Sequence, residues 1–262
     1  METAGALIIP GTLVPGGSLK ELLYGHFRRM FDCPVYIESI PELGLGDPQL
    51  AFYELAEKYF LRFPEKKYYI LGHSQGGLLA CLLALTYPEQ SIKAITFGSP
   101  YQGTFLTEPL IFPIRLARQL ISLATNGKLH PKMYLPNLVL PIPAAHELTR
   151  NSEFLELITE LLQSEDREDN PEIISFYSPF DTFVLPTRSS FLEGRGVVNY
   201  FAAPDWYYER VKNTLPNGIR HINALAEHLS LIYCRPVLEE VFTIVNSVTR
   251  LAPKLSLAKE AV

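Results

Sequence analysis

The sequence is poor in cysteine, in net charge and in long apolar segments. Its 262 residues include three cysteines, and no two of them have the spacing of metal ligands. We therefore expect reduced thiols and no disulfide framework. The net charge of −5 gives no reason to expect a nucleic-acid partner. No stretch reaches the roughly 18 uninterrupted apolar residues that a membrane-spanning helix needs, so none is predicted.

The N-terminal stretch "METAGALIIPGT" has neither the basic region nor the long apolar region of a secretory signal peptide. We therefore expect a cytoplasmic protein. Hydrophobic residues make up 47% of the chain and charged residues 19%, which is an ordinary globular composition. This is enough chain for one large core, and we predict a single domain over residues 1–262. The oligomeric state is left open.

Short apolar runs alternate with longer segments of helical periodicity. The predicted strands cover residues 6–9, 34–40, 66–71, 92–99, 172–178 and 196–203. The predicted helices cover residues 18–31, 47–63 and 76–87, and a last one lies within residues 229–248. This alternation predicts an α/β fold with a mostly parallel central sheet flanked by helices. In such sheets ligands bind at the carboxyl ends of the strands.

One long stretch, from Phe105 to Ala145, breaks this alternation. It is apolar and rich in proline, and part of it has helical spacing. A connection this long inside a compact domain is usually functional or disordered, and its apolar content argues against disorder. We predict a lid or cap over the strand ends. Its Arg and Lys residues have no acidic neighbours and could face an anionic membrane surface, although a solvated basic face explains them equally well.

The segment Gly72 to Gly76 reads Gly-His-Ser-Gln-Gly and matches the pattern G-x-S-x-G between a predicted strand and a predicted helix. In a nucleophile elbow this turn presents the serine, here Ser74, to the substrate. A serine needs a histidine base and an acid to orient that base, in the chain order Ser, Asp or Glu, His. Asp181 follows a predicted strand and is the candidate acid. His228 is the favoured base and His221 the alternative.

These motifs resemble the α/β-hydrolase superfamily, specifically its lid-bearing lipase and esterase branch. The resemblance is carried by "LIIPGT", "ILGHSQGGLLA", "ITFGSPYQGT", "YSPFDTFVLP" and "EHLSLIYCRPVLEEV", and it extends over nearly the whole chain. It implies an α/β-hydrolase fold with a lid insertion at about residues 105–145. It also implies Ser74 as nucleophile, Asp181 as acid and His228 as base, with the backbone N–H groups of Thr12 and Gln75 as the oxyanion hole.

Two positions depart from the family pattern. The oxyanion turn usually contains His-Gly and here contains Pro10-Gly11, a change that keeps the backbone donor. The catalytic histidine often follows glycine and here follows Glu227.

The resemblance implies hydrolysis of carboxylic esters with hydrophobic acyl chains through an acyl-enzyme on Ser74. The implied partner is an ester or lipid-like small molecule, with transient membrane contact through the lid and no nucleic acid. No metal or organic cofactor is required for this chemistry. An acyltransferase or thioesterase would use the same triad, so the acyl acceptor stays open. A binding protein built on the same scaffold is the non-enzymatic alternative.

Overall fold

The computed structural model describes residues 5–12, 18–104, 147–150, 152–164 and 171–259. Its central feature is a seven-stranded sheet in the order β2-β1-β3-β4-β5-β6-β7, in which every neighbouring pair is parallel. The predicted parallel sheet is therefore confirmed. The predicted lid at residues 105–145 lies outside the described residues. The strands are Gly5–Ile9 (β1), Val35–Ile37 (β2), Tyr68–His73 (β3), Ser91–Phe97 (β4), Glu172–Tyr177 (β5), Val197–Ala203 (β6) and Arg220–Asn223 (β7).

The central strands are buried on both faces, which explains their continuous apolar sequences. In β1, Leu7 and Ile9 belong to one hydrophobic cluster, whereas Ala6 and Ile8 belong to a second. This alternation follows from the two-residue period of a strand. The sheet thus separates two cores, and each core needs its own layer of helices.

Six α-helices of the described residues supply most of this cover. They are Ser18–Tyr24 (α1), Pro48–Leu55 (α2), Gln75–Thr86 (α3), Glu153–Gln163 (α4), Asp205–Val211 (α5) and Arg235–Lys259 (α6). Helices α2, α3 and α4 pack on the first cluster, and α1 and α6 contribute to the second. Helix α3 is buried on all sides from Gln75 to Leu85, so it is a core helix with no polar face. No helix among the described residues is both long and apolar enough to cross a bilayer.

The ends of three predicted helices are wrong. The first α-helix stops at Tyr24 and continues as a 3-10 helix from Gly25, a residue that weakens an α-helix. The second begins after the N-cap Asp47, as predicted, but becomes a π-helix over Ala56–Leu61. The last begins at Arg235, inside the predicted range, with Pro236 in its first turn, where proline is tolerated, but it continues to Lys259, beyond residue 248.

Helix α3 approaches the end of β1 so closely that only glycine fits at position 76. A Cβ atom there would lie 2.2 Å from the carbonyl oxygens of both Ile9 and Pro10. These oxygens belong to backbone and cannot move aside as a flexible side chain could. The contact therefore fixes the serine turn at the start of α3 against the turn that follows β1.

We predict that Gly76→Ala lowers the free energy of unfolding by about 1–3 kcal/mol or more, because the added methyl group overlaps backbone atoms. Urea unfolding at neutral pH measures this loss. Gly25→Ala is the matched control, since a Cβ atom at Gly25 meets nothing closer than Glu21 Oε2 at 3.5 Å. We expect the control to change stability by less than about 0.5 kcal/mol. Equal effects of the two substitutions would contradict the close-contact explanation.

Candidate active site

Ser74 occupies the sharp turn between β3 and α3. Its backbone has φ 54° and ψ −125°, a conformation that non-glycine residues rarely adopt. The Ser74 N–H donates to the Phe97 carbonyl at 2.8 Å, which ties the turn to the neighbouring strand β4. The serine is partly exposed, whereas the residues on either side of it are buried. The turn therefore leaves Ser74 partly exposed within a segment that is otherwise buried.

Asp181 lies in the loop after β5 and is almost fully buried. Its Oδ1 accepts hydrogen bonds from the backbone N–H groups of Phe183 and Val184, both at 2.9 Å. Its Oδ2 lies 2.7 Å from His228 Nδ1. The loop thus satisfies one carboxylate oxygen with backbone donors and aims the other at the histidine.

His228 follows β7 and presents its ring to Asp181. The bond from Nδ1–H to the carboxylate leaves Nε2 as the ring atom able to take a proton. The ring of His73 lies 4.6 Å from the His228 ring, and the ring of Phe183 lies 5.2 Å from it. The Ser178 hydroxyl also donates to the Ala226 carbonyl, so the loop that carries Asp181 is bonded to the one that carries His228.

The alternative base, His221, is placed elsewhere. It lies within β7, its Nε2 is 2.7 Å from the Ala203 carbonyl oxygen, and its ring stacks on Tyr208 at 3.9 Å. Its nearest carboxylate is Asp205, with Nδ1 and Oδ1 3.8 Å apart. Of the two candidate histidines, His228 is the one that the fold brings to Asp181.

The turn after β1 carries Thr12 and lies directly against the serine turn. A Cβ atom on Gly11 would lie 3.0 Å from Ser74 Cβ and 3.1 Å from His73 Nδ1. Thr12 Oγ1 donates to Gln75 Oε1 at 2.9 Å, which joins the two predicted oxyanion residues through their side chains. Gln75 is the first residue of α3, and N–H groups at a helix start have no carbonyl partner within their own helix. The helix dipole also favours negative charge at this end.

Two further side chains, His73 and Tyr24, lie next to the site, and neither was among the predicted site residues. In the structure His73 Nδ1 lies 3.0 Å from the Tyr24 hydroxyl, and His73 Nε2 lies 3.1 Å from the His228 carbonyl oxygen. Burial, with a smaller contribution from the neighbouring His228, lowers the pKa of His73 to about 3. Burial raises the pKa of the Tyr24 hydroxyl above its usual range. Both side chains therefore stay neutral at ordinary pH.

The family described as alpha/beta hydrolase fold matches the sequence over residues 47–123. This match and the parallel sheet show that the chain has the α/β-hydrolase fold. The parallel sheet and the strand-turn-helix around Ser74 agree with this assignment. No curated protein matches the sequence significantly.

Solved structures show the same fold at low sequence identity. Lipase B of Aspergillus fumigatus is 20% identical with a TM-score of 0.52, and the match covers 76% of this chain but only 44% of the lipase. A structure from work on two metagenome-derived lipolytic enzymes is 14% identical with a TM-score of 0.55, covering 94% of each chain. The 2-hydroxy-6-oxo-6-phenylhexa-2,4-dienoate hydrolase of Rhodococcus sp. strain RHA1 is 12% identical with a TM-score of 0.55, covering 94% of this chain and 91% of the other.

We predict that His73 makes the protein less stable in acid. Its pKa is about 3 in the folded protein and 6.5 in its ordinary state, so the unfolded chain binds the proton more tightly. Both states are neutral above pH 6.5, and folding stability falls as the pH drops from 6.5 toward 3. The expected loss from this residue between pH 7 and pH 5 is about 2 kcal/mol.

Urea unfolding of the wild type and of His73→Gln at pH 7, 6 and 5 measures this effect. Glutamine does not titrate, so the variant should lose less stability over the same range. His221→Gln, a substitution at a histidine within β7, controls for the removal of a histidine. Parallel pH dependences for the wild type and His73→Gln would show that His73 does not resist protonation.

Proposed function

We propose that the protein is a serine hydrolase that cleaves carboxylic esters of hydrophobic acyl chains. The observation that carries this proposal is the 2.7 Å contact between Asp181 and His228 beside a strained serine turn. A buried carboxylate bonded to histidine Nδ1 orients the ring and stabilises the imidazolium that forms when Nε2 takes a proton. The strained turn is the usual setting of a nucleophilic serine in this fold.

The proposed reaction proceeds through an acyl-enzyme. Ser74 Oγ attacks the acyl carbonyl carbon as its proton moves to His228 Nε2, and the carbonyl oxygen becomes an oxyanion. The backbone N–H groups of Thr12 and Gln75 stabilise that charge. The ester C–O bond then breaks, and the alcohol leaves with the proton from His228. Water, activated by the same ring, attacks the acyl-enzyme, and the acid is released as Ser74 regains its proton.

The apolar character of the substrate is supported by the side chains beside the acid and the base. Phe183 and Leu185 follow Asp181 and are 55% and 38% exposed, and Leu225 and Leu229 flank His228 and are 70% and 41% exposed. Apolar surface next to a catalytic pair favours an alkyl or aryl substituent over a charged one. The lipolytic neighbours agree with such a substrate. Membrane contact through residues 105–145 is part of the proposal and rests on their sequence alone.

The first test of this proposal is a reaction with a fluorophosphonate probe. We expect Ser74 Oγ to displace fluoride from phosphorus and the intact mass to rise by one phosphonyl group. Ser74→Ala should abolish this adduct, and His228→Ala should slow its formation strongly because the proton acceptor is gone. Ser247→Ala, at an exposed residue of α6 whose hydroxyl donates to the Ile244 carbonyl, should label like the wild type. Well-folded wild-type protein that stays unlabelled with and without liposomes would count against an activated serine.

The second measurement is turnover of p-nitrophenyl esters with acyl chains of two to sixteen carbons. We expect Ser74→Ala to lower kcat about 10⁴-fold or more, and Asp181→Asn to lower it by about 10²- to 10⁴-fold. Product analysis with an added alcohol separates hydrolysis from acyl transfer. Free acid alone supports the hydrolase, whereas a new ester as the main product would favour the acyltransferase alternative.

A further inference from the structure

A chain of buried hydrogen bonds runs beneath the site and involves no group that the proposed reaction uses. The Gly11 N–H donates to the Tyr24 hydroxyl at 3.3 Å, and this hydroxyl lies 3.0 Å from His73 Nδ1. His73 Nε2 lies 3.1 Å from the His228 carbonyl oxygen. Tyr24 is 1% exposed and His73 is 2% exposed. These contacts connect helix α1, the turn after β1, the end of β3 and the loop after β7.

The partners determine where each proton lies. A carbonyl oxygen can only accept, so His73 Nε2 must carry the proton that is donated to His228. A neutral imidazole then has a lone pair on Nδ1, which accepts from the Tyr24 hydroxyl. The hydroxyl oxygen in turn accepts from the Gly11 N–H. Every donor in the chain thus has one acceptor, and the arrangement holds only while His73 is neutral and in this tautomer.

The chain reaches all three catalytic segments through a residue adjacent to or within each one. Gly11 directly precedes Thr12, His73 directly precedes Ser74, and His228 is itself the proposed base. Ring contact reinforces the last link, since the rings of His73 and His228 lie 4.6 Å apart. We propose that Tyr24 and His73 are positioning residues. They hold three segments in fixed relative positions: the turn after β1, the turn that carries Ser74 and the loop that carries His228. The kinetic part of this proposal rests on the proposed function.

Two substitutions separate a positioning role from simple packing. Tyr24→Phe keeps the buried ring and removes only the hydroxyl, which leaves the Gly11 N–H and His73 Nδ1 without this partner. In His73→Asn the amide reaches the position of Nδ1 but not that of Nε2, so the bond to the His228 carbonyl is lost. In His73→Gln the amide nitrogen can reach the position of Nε2 and restore that donor. The two His73 variants therefore differ mainly in the link to the base.

Kinetics with p-nitrophenyl butyrate provide the first readout. We expect Tyr24→Phe and His73→Asn to lower kcat by about 10- to 100-fold with KM within about twofold, because small displacements of catalytic groups slow the chemical step. His73→Gln should recover much of the loss. His221→Gln is the matched control, since it also removes a ring nitrogen that lies near a backbone carbonyl, but away from the site. Wild-type kcat in both Tyr24→Phe and His73→Asn would overturn the proposal.

The second readout does not depend on turnover. The Cε1–H resonance of His228, assigned through its loss in His228→Gln, is followed by NMR from pH 5 to pH 9. Tyr24→Phe alters no atom in contact with the His228 ring, so a shifted titration midpoint or a broadened resonance reports displacement of the histidine loop. An unchanged resonance would overturn the positioning role. If the wild type neither reacts with fluorophosphonate nor cleaves esters, the proposed function fails, and the NMR result still decides the role of Tyr24.

Discussion

The contact between Gly76 and the end of β1 is the constraint on which the site depends. Only a glycine lets helix α3 come so near to the carbonyl oxygens of Ile9 and Pro10. This approach places the first residues of α3, and the serine turn before them, beside the turn that carries Gly11 and Thr12. The proposed nucleophile and both proposed oxyanion donors are therefore brought together by one backbone contact. A bulkier residue at position 76 would separate them without altering any catalytic group.

Burial of Asp181 and His228 creates a second requirement, because a buried charge is costly unless it is hydrogen-bonded. The loop after β5 meets it by giving Asp181 two backbone donors in addition to His228 Nδ1. The side chains nearby remain neutral. His73 has a pKa of about 3 and the pKa of Tyr24 is raised, so neither side chain carries a charge at neutral pH.

Much of the fold could be predicted from local sequence patterns, and the same patterns indicate the residues of the proposed site. Continuous apolar runs predict buried parallel strands because both faces of such a strand are covered, and the G-x-S-x-G pattern marks Ser74 because the turn requires glycines on either side. Asp181 and His228 were proposed from chain order and resemblance, and the structure adds the distance between them. The ends of the helices were less predictable. The π-helix at Ala56–Leu61 continues a regular helical pattern, and it contains no glycine or proline that would predict the change of helix type.

Tyr24 could not be predicted, and the reason is physical. Its hydroxyl contacts His73, which is 49 residues away in the sequence, and Gly11, which is 13 residues away. Neither contact can be predicted from periodicity or motif spacing. In sequence, Tyr24 is simply an apolar position of an amphipathic helix. The choice between His221 and His228 has a similar basis. Both follow β6 in the chain, and only the pairing of β7 with β6 shows that His221 lies within a strand. Position in the sheet, rather than residue type, separates the two histidines.

The side chains of Thr12 and Gln75 explain why backbone groups are the better candidates for the oxyanion hole. The Thr12 hydroxyl already donates to Gln75 Oε1, so using it for an oxyanion would break a bond that holds the two turns together. The backbone N–H of Gln75 is different, because its helix provides it with no partner and its direction is fixed by the helix axis. Backbone donors held by close packing need no rearrangement as charge develops, which is what makes them effective in the transition state. The side-chain bond therefore serves the site by keeping the turn that carries Thr12 against the start of α3.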